Sequence, residues 1–472
     1  MEWALQSLSS TDAEAISAIV GAKGVIAPSE WAGYNIEWRK RWRGAPSLVI
    51  APESVSEVSA LVRYCAQRRI AITPQGGNTG LVGGQIATNG EVLVSMRRLR
   101  RVRGASALDN ALVVDAGVTL AEAQAAAAEI GRLFPLSIGS EGSCQIGGVI
   151  STNAGGVNVI RYGNMRDLVL GLEAVLPSGE VWNGLKRLRK DNTGYDLKQL
   201  FIGGEGTLGL ITGAALKLFP APRERLTAFA GLATPEAALR LLARAQGESG
   251  GAVGSFELMS RGILALVLKN IPGARDPLQG THPWYALVEF SAGRGGVLRP
   301  MAEELLAAAF GSGELSDAVI AGSEAQAKDF WRLRHSMSEA MKPEGGQAKY
   351  DVSVPLASVP AFLAAADANV ERLCPGARIV AFGHMGDGNI HYDVLQPKAM
   401  ARNEFDARES AIEQAVYDAI DRFEGSISAE HGVGLARRDD IARRKAPAEI
   451  AMMRAIKAAL DPFGIMNPGK ML

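Results

Sequence analysis

Only five histidines occur in the 472 residues, and three of them fall in two short motifs. The segment GHMGDGNIHYD carries His384 and His391 on either side of a Gly-Asp-Gly-Asn turn at 386–389. The flanking segments ARIVAF and IHYDVL predict paired strands, and the turn between them brings both imidazoles to one end of a hairpin. SAEHGVG supplies Glu430 and His431 from a distant part of the chain. Two histidines and a carboxylate make a three-ligand site with an open position, suited to catalytic Zn2+, Mn2+ or Fe2+. Asp387 is the competing carboxylate, but an aspartate between two glycines is explained by turn chemistry alone. Glu430 is therefore the expected ligand, and Asp387 a turn-former or a group bonded to a ligand. A hydrogen-bonded polar core is the plainer reading; the remoteness of the third ligand in sequence weighs against it. His431, beside a ligand and not needed as one, is expected to accept a proton near neutral pH.

Glycine is the compositional outlier, with 54 residues. Four segments concentrate it with small polar residues: PQGGNTGLVGG (74–84), GSEGSCQIGGVISTNAGG (139–156), RYGN (161–164) and GGEGTLGLIT (203–212). Consecutive backbone N–H groups in such loops form nests that hold pyrophosphate without a lysine. Turns use the same residues, but four such loops in one stretch of chain exceed what turns require. The string Gly204-Glu205-Gly206-Thr207-Leu208-Gly209 fits G-x-G-x-x-G, yet a strand-like segment follows where a dinucleotide-binding helix should begin. A phosphate loop ending in Gly-Lys-Ser/Thr is absent, since the only Gly-Lys pair is Gly469-Lys470. ATP hydrolysis is thus disfavoured.

The segment FWRLRHSMSEAMKPEGGQAKYDVSVP (330–355) holds the candidate anion-binding residues. Arg334 and Ser338 are four apart, so a helix would place them on one face. Lys349 precedes a strand-like stretch. Arginine with lysine suits a second substrate carboxylate, the arginine through fork-like hydrogen bonds. An ordinary charged surface helix is the alternative.

In this order and spacing, the glycine loops resemble the FAD-binding domain of the vanillyl-alcohol-oxidase superfamily. The resemblance implies FAD contacts from Pro74, Gly76, Gly77, Asn78, Thr79, Gly80 and Leu81 in the first loop. It further implies Gly142, Ser143, Gly147, Gly148, Thr152, Asn153 and Gly156 in the second, then Gly206, Ile211 and, from the terminal NPGK, Asn467. Members that link FAD covalently usually carry a histidine in the first loop; Asn78 stands in a loop without one, which implies non-covalent FAD. The histidine motifs resemble the branch of D-2-hydroxyglutarate and D-lactate dehydrogenases. That likeness implies His384, His391 and Glu430 as metal ligands and His431 as base, with hydride transfer from the substrate Cα to flavin N5. It also implies that Arg334, Ser338 and Lys349 engage a distal carboxylate, Ser338 standing where that branch has threonine. Asp393 departs further, since the branch usually has asparagine there; an acid beside a substrate carboxylate repels it unless protonated or turned toward a cation. A D-2-hydroxy diacid, D-2-hydroxyglutarate or D-malate, is the expected substrate, with D-lactate or glycolate the alternative. An electron-transfer flavoprotein or quinone is the expected acceptor. A direct oxidase, a flavoprotein subunit of a larger redox complex and a metal-dependent hydrolase are the rival classes, and analogy points to a homodimer.

Strand and helix signals must position these residues. SLVIAP (47–52), AITP (71–74), EVLVSM and ALVVDAG read as strands, and 54–69 and 119–131 as helices, with a first helix over 11–20 capped by Thr11 or Asp12. After Pro222 the texture changes to helices at 235–246, 301–310 and 405–424 between strands at 285–290 and 317–321. The expected fold is α+β: a two-subdomain FAD-binding domain (1–222), an α+β substrate or cap domain (223–426) and a C-terminal segment (427–472) returning to the first. Fifty basic and fifty acidic side chains cancel, so nothing in the net charge favours nucleic acid. Three basic runs, at 39–43, 97–103 and 186–190, read as solvated faces, with docking of an acidic redox partner the lesser reading. Cys65, Cys144 and Cys374 are too widely spaced for a disulfide framework. The N-terminal segment lacks signal-peptide character, and no run suits a membrane span. A cytoplasmic location is the resulting expectation.

Overall fold

The computed structural model describes residues 5–472; the first four residues, part of the segment read for a signal peptide, lie outside that range. The chain forms two compact units. One comprises the residues up to Gly155, Gly163–Ala221 and His431–Leu472; the other comprises Gly156–Tyr162 and Pro222–Glu430. Within the second unit, Arg161 anchors the short early segment by donating Nη1–H to the Ser291 carbonyl at 2.7 Å.

In the first unit, Leu48–Ile50, Val92–Ser95 and Ile72–Gln75 form a parallel sheet in that spatial order. Parallel neighbours need a crossover, and the helix Val55–Arg68 lies between the first and third of these strands in sequence. Its Val58, Leu61, Val62 and Cys65 recur at helical spacing and are buried, and Ser54 caps it by accepting the Glu57 N–H. A second, antiparallel sheet has the order Val102–Ser106, Ala111–Asp115, Leu210–Lys217, Val169–Val175 and Val181–Gly184. Strand Leu210–Lys217 follows the Gly204–Gly209 loop directly, so the G-x-G-x-x-G string opens no helix. The first helix is Ser10–Val20, and its cap is Ser9 rather than Thr11 or Asp12. Asp12 instead closes a reciprocal capping box with Ser9.

Two of the basic runs are partly paired with nearby carboxylates. Arg98 pairs with Glu53, Arg100 with Glu122, Arg101 and Arg103 with Asp115, and Arg103 also with Glu173. Lys186 and Arg187 pair with Asp191 and Asp109.

The second unit is built on one antiparallel sheet. Its order is Asp317–Ile320, Glu224–Leu232, Trp284–Ala292, Val253–Ser260, Arg378–His384, Asn389–Leu395 and Gln347–Ser353. Helices cover both faces. On one, Arg261–Asn270, Glu324–His335 and Met337–Ala340 set Ile263, Val267, Phe330, Leu333 and Met337 against Phe229, Met259, Val380 and Phe382. On the other, Val359–Leu373 and Glu409–Arg422 bring Phe362 edge-on to Tyr392 and Tyr417 edge-on to Tyr350. Burial of each large apolar side chain contributes about 1.5–3 kcal/mol.

The single helix expected over 405–424 is two, Arg402–Asp406 and Glu409–Arg422. The Arg408 N–H turns to the Phe405 carbonyl, three residues back, and this tighter bond ends the first helix. Among the described residues, no helix is long and apolar enough to cross a membrane.

Candidate active site

Strand register assembles the metal-binding candidates within the second unit. Glu257 lies opposite His384, Phe382 opposite His391, and His391 opposite Asp351. Directly opposed residues of an antiparallel pair project from the same face, so one face carries Glu257, His384, His391 and Asp351. His384 ends its strand, and the turn beyond it closes through Gly388 in the left-handed region at φ +80°. Asp387 Oδ1 accepts the Asn389 N–H at 3.1 Å, a turn-forming contact. The two imidazole centres are 5.9 Å apart. Ligand atoms of His384, His391 and Glu430 all lie within 4.8 Å of one another. His384 Nε2 is 3.2 Å from Glu430 Oε1.

Each histidine is backed by a second carboxylate. His384 Nδ1 is 2.6 Å from Glu257 Oε1, and His391 Nδ1 is 3.7 Å from Asp351 Oδ1. This is the pattern by which outer carboxylates orient metal-binding imidazoles. Burial alone would depress His384, but the charges and hydrogen bonds of Glu257 and Glu430 outweigh it and hold it up at about 10. Burial pushes His391 down to about 4, so it is a neutral ligand near pH 7. Burial also lifts Asp387 to about 6. For Glu257, burial is outweighed by His384 and Arg334, and it sits at about 2. Without an ion, His384 therefore keeps a proton between two carboxylates, which is the place a divalent cation would take. Two imidazoles and a carboxylate, with supporting acids behind the imidazoles, fit a divalent metal.

The residues expected to bind substrate come from a helix (Arg334), the short turn after it (Ser338) and a strand (Lys349). Arg334 is buried at the end of helix Glu324–His335. Its Nε donates to Glu257 Oε2 at 2.7 Å, and its guanidinium lies 5.1 Å from the Phe382 ring centre. The Arg334 Nη2 is buried with no hydrogen-bond partner. Ser338 lies beyond the end of that helix. The Ser336 N–H closes the helix on the Arg332 and Arg334 carbonyls, and Ser338 sits exposed in the separate turn Met337–Ala340. Lys349 lies directly opposite Asp393 across paired strands, and Asp393 is buried.

Within the first unit the first, second and fourth glycine loops meet, whereas Gly156 and the start of RYGN belong to the second unit. A Cβ on Gly77 would stand 1.9 Å from the Ser143 carbonyl oxygen, and one on Gly206 would stand 2.3 Å from Pro74 Cγ. Only glycine permits these approaches. At Gly148, by contrast, a Cβ meets nothing within 4 Å, although the Gly148 backbone lies beside Gly76. Asn78 braces the first loop, donating Nδ2–H to the Gly33 and Ile36 carbonyls, each at 3.0 Å. Asn153 Oδ1 accepts the Arg166 N–H. Asn467 donates to the Gly84 and Glu205 carbonyls. Its Oδ1, with Gln145 Oε1 and Thr73 Oγ1, is buried without a partner. Closely approaching backbone, open space at Gly148 and orphaned acceptors fit a bound dinucleotide. His431 opens the last segment of this unit. Glu205 braces the turn after it by accepting the Val433 and Gly434 N–H groups at 2.7 and 2.8 Å.

The sequence reading missed Glu257, Asp351 and Glu205. The signal for the first two was a lone acid inside strand-like segments, GSFELMS and KYDVSV, since an unpaired buried carboxylate is costly.

The glycine loops fit a dinucleotide, the second unit groups three residues that could hold a metal, and the sequence comparisons make the dinucleotide FAD. Residues 46–184 match the model described as FAD binding domain, and residues 221–471 match FAD linked oxidases, C-terminal domain. The chain belongs to this family of FAD-linked oxidases and is an FAD-dependent dehydrogenase. More particularly, it belongs with the branch of D-2-hydroxyglutarate and D-lactate dehydrogenases. It is 39% identical over 449 residues to a D-2-hydroxyglutarate dehydrogenase of Xanthomonas citri pv. viticola, covering 94% of this chain and 93% of that one. It is 37% identical to the mitochondrial D-2-hydroxyglutarate dehydrogenase of Arabidopsis thaliana, covering 99% and 82%. A putative mitochondrial D-lactate dehydrogenase of Schizosaccharomyces pombe is 36% identical, covering 98% and 90%. Among solved structures, p-cresol methylhydroxylase shares the fold, with a TM-score of 0.77, 16% identity, and coverage of 97% and 96%.

Proposed function

We propose that this chain oxidises a D-2-hydroxy acid to the 2-oxo acid, with D-2-hydroxyglutarate the preferred substrate and D-malate a second. Electrons pass on to an electron-transfer flavoprotein or a quinone. The observation that carries this reading is the His384–His391–Glu430 group, with ligand atoms within 4.8 Å, on a sheet whose same face bears Lys349. When bound, Zn2+ would draw charge from the substrate hydroxyl and the non-covalent flavin would take the hydride. The chain's own groups do the rest. Glu257 and Asp351 orient the two imidazoles. The His431 imidazole receives the hydroxyl proton, a role supported by its place next to Glu430 in the chain. Arg334 Nη2, buried without a partner, donates to a substrate carboxylate oxygen, and Lys349 adds a second positive charge.

Anaerobic flavin reduction by a panel of D-2-hydroxy acids tests the reading. The diacids should bleach the visible flavin band with higher efficiency than D-lactate; a higher efficiency on D-lactate overturns the preference. One observation favours D-lactate or glycolate as the second reading. Lys349 already faces Asp393 across the strand pair, which reduces the positive charge left for a distal carboxylate.

A further inference from the structure

Glu257 stands at the centre of a three-residue chain. Its carboxylate is fully buried, and each oxygen has one cationic or polarised neighbour. Oε1 lies 2.6 Å from His384 Nδ1, and Oε2 accepts the Arg334 Nε–H at 2.7 Å. The three residues come from separate elements, the strands Val253–Ser260 and Arg378–His384 and the helix Glu324–His335. Nothing in local sequence links them.

We propose that Glu257 is a positioning residue that couples the metal ligand His384 to the substrate-binding arginine Arg334. The coupling rests on the metal-assisted reading given above. With Nδ1–H bonded to Glu257, His384 presents Nε2 toward Glu430, the side on which the three candidate ligand atoms gather. The same carboxylate holds the guanidinium over Phe382 and leaves its buried Nη2 for an incoming acceptor. Both neighbours of Glu257 are donors. Only a group with two acceptor oxygens satisfies them together. Glutamine keeps the volume but must turn an NH2 toward either His384 or Arg334, so one of the two contacts becomes donor against donor.

The test uses the FAD-loaded full chain and Zn2+ competition with a chelator. Glu257→Gln is expected to weaken Zn2+ binding by about 10- to 100-fold, while the flavin spectrum and fold are kept. The KM for D-2-hydroxyglutarate should rise as well, since Arg334 loses its brace. Unchanged Zn2+ affinity in a folded Glu257→Gln protein overturns the proposal. Failure of the wild type to bind Zn2+ would instead sink the metal reading on which it rests. Should the variant not fold, histidine-labelled wild-type protein carrying Zn2+ supplies the answer by nitrogen NMR, with only five histidines to assign. His384 is expected as the Nδ1–H tautomer with Nε2 on the metal. The reverse tautomer overturns the proposal.

Discussion

Asp351 accepts the backbone N–H of Glu430 through Oδ2 at 2.9 Å, and so fixes the chain where it delivers the third candidate ligand. Its other oxygen takes the Asn389 Nδ2–H at 2.9 Å and faces His391 Nδ1 at 3.7 Å. One buried carboxylate thus ties the strand Gln347–Ser353 to the neighbouring strand and to the segment arriving from the last long helix of the unit. Asp351→Ala removes the acceptor for both donors, at about 1–3 kcal/mol for each one left buried and unpaired. The expected outcome is a lower unfolding midpoint and substoichiometric metal by elemental analysis. Full metal content in the variant would show that Asp351 is dispensable to the site.

The flavin cradle can be separated from the fold by two glycines. Gly77→Ala sets a Cβ 1.9 Å from the Ser143 carbonyl oxygen, where backbone must move. Such overpacking costs about 1–3 kcal/mol, so both stability and FAD content should fall. Gly148→Ala meets no protein atom within 4 Å and lies in the helical turn Ile146–Ser151. There alanine gains about 0.5–1 kcal/mol over glycine in helix propensity. Apoprotein stability should therefore hold or rise while the FAD-to-protein ratio drops. Full FAD occupancy in Gly148→Ala would move the cofactor away from this loop.

Legibility from sequence followed the distance over which contacts are set. GHMGDGNIHYD was readable because a tight hairpin fixes its own register, and the glycine loops were readable because close backbone approach demands glycine. Glu257 was not. Its partnership with His384 depends on the order of a seven-stranded sheet in which Val253–Ser260 neighbours Arg378–His384, and no local pattern encodes that. For Ser338 the spacing from Arg334 runs across Ser336, where one helix ends and a short turn begins, so spacing alone does not set how the two side chains stand to each other.

Asp393 bears on substrate choice. It lies opposite Lys349 on the paired strand and is buried. Asp393→Asn removes the acid facing Lys349 and leaves the lysine's charge for a distal carboxylate. The specificity constant for D-2-hydroxyglutarate should rise about tenfold, equal to about 1.4 kcal/mol, with little change for D-lactate. Steady-state kinetics on both substrates measure the ratio. An equal change on both would place Asp393 outside substrate discrimination.

Metal uptake should depend on pH through His384. In the metal-free protein, burial works against its charged form, but Glu257 and Glu430 raise it from the ordinary 6.5 to about 10. The protonated imidazole therefore stabilises the metal-free fold fully below pH 6.5, and this contribution fades as pH rises toward 10. Metal binding runs the other way, because the ion must displace that proton. His391 releases none, since burial already holds it near 4. One proton lost per ion makes affinity rise about tenfold for each pH unit across the neutral range. Chelator-competition titrations of metal-stripped protein between about pH 6 and 8 read the slope directly. A flat profile would mean that His384 is already neutral before the metal arrives, and the two flanking carboxylates would then not hold a proton on it.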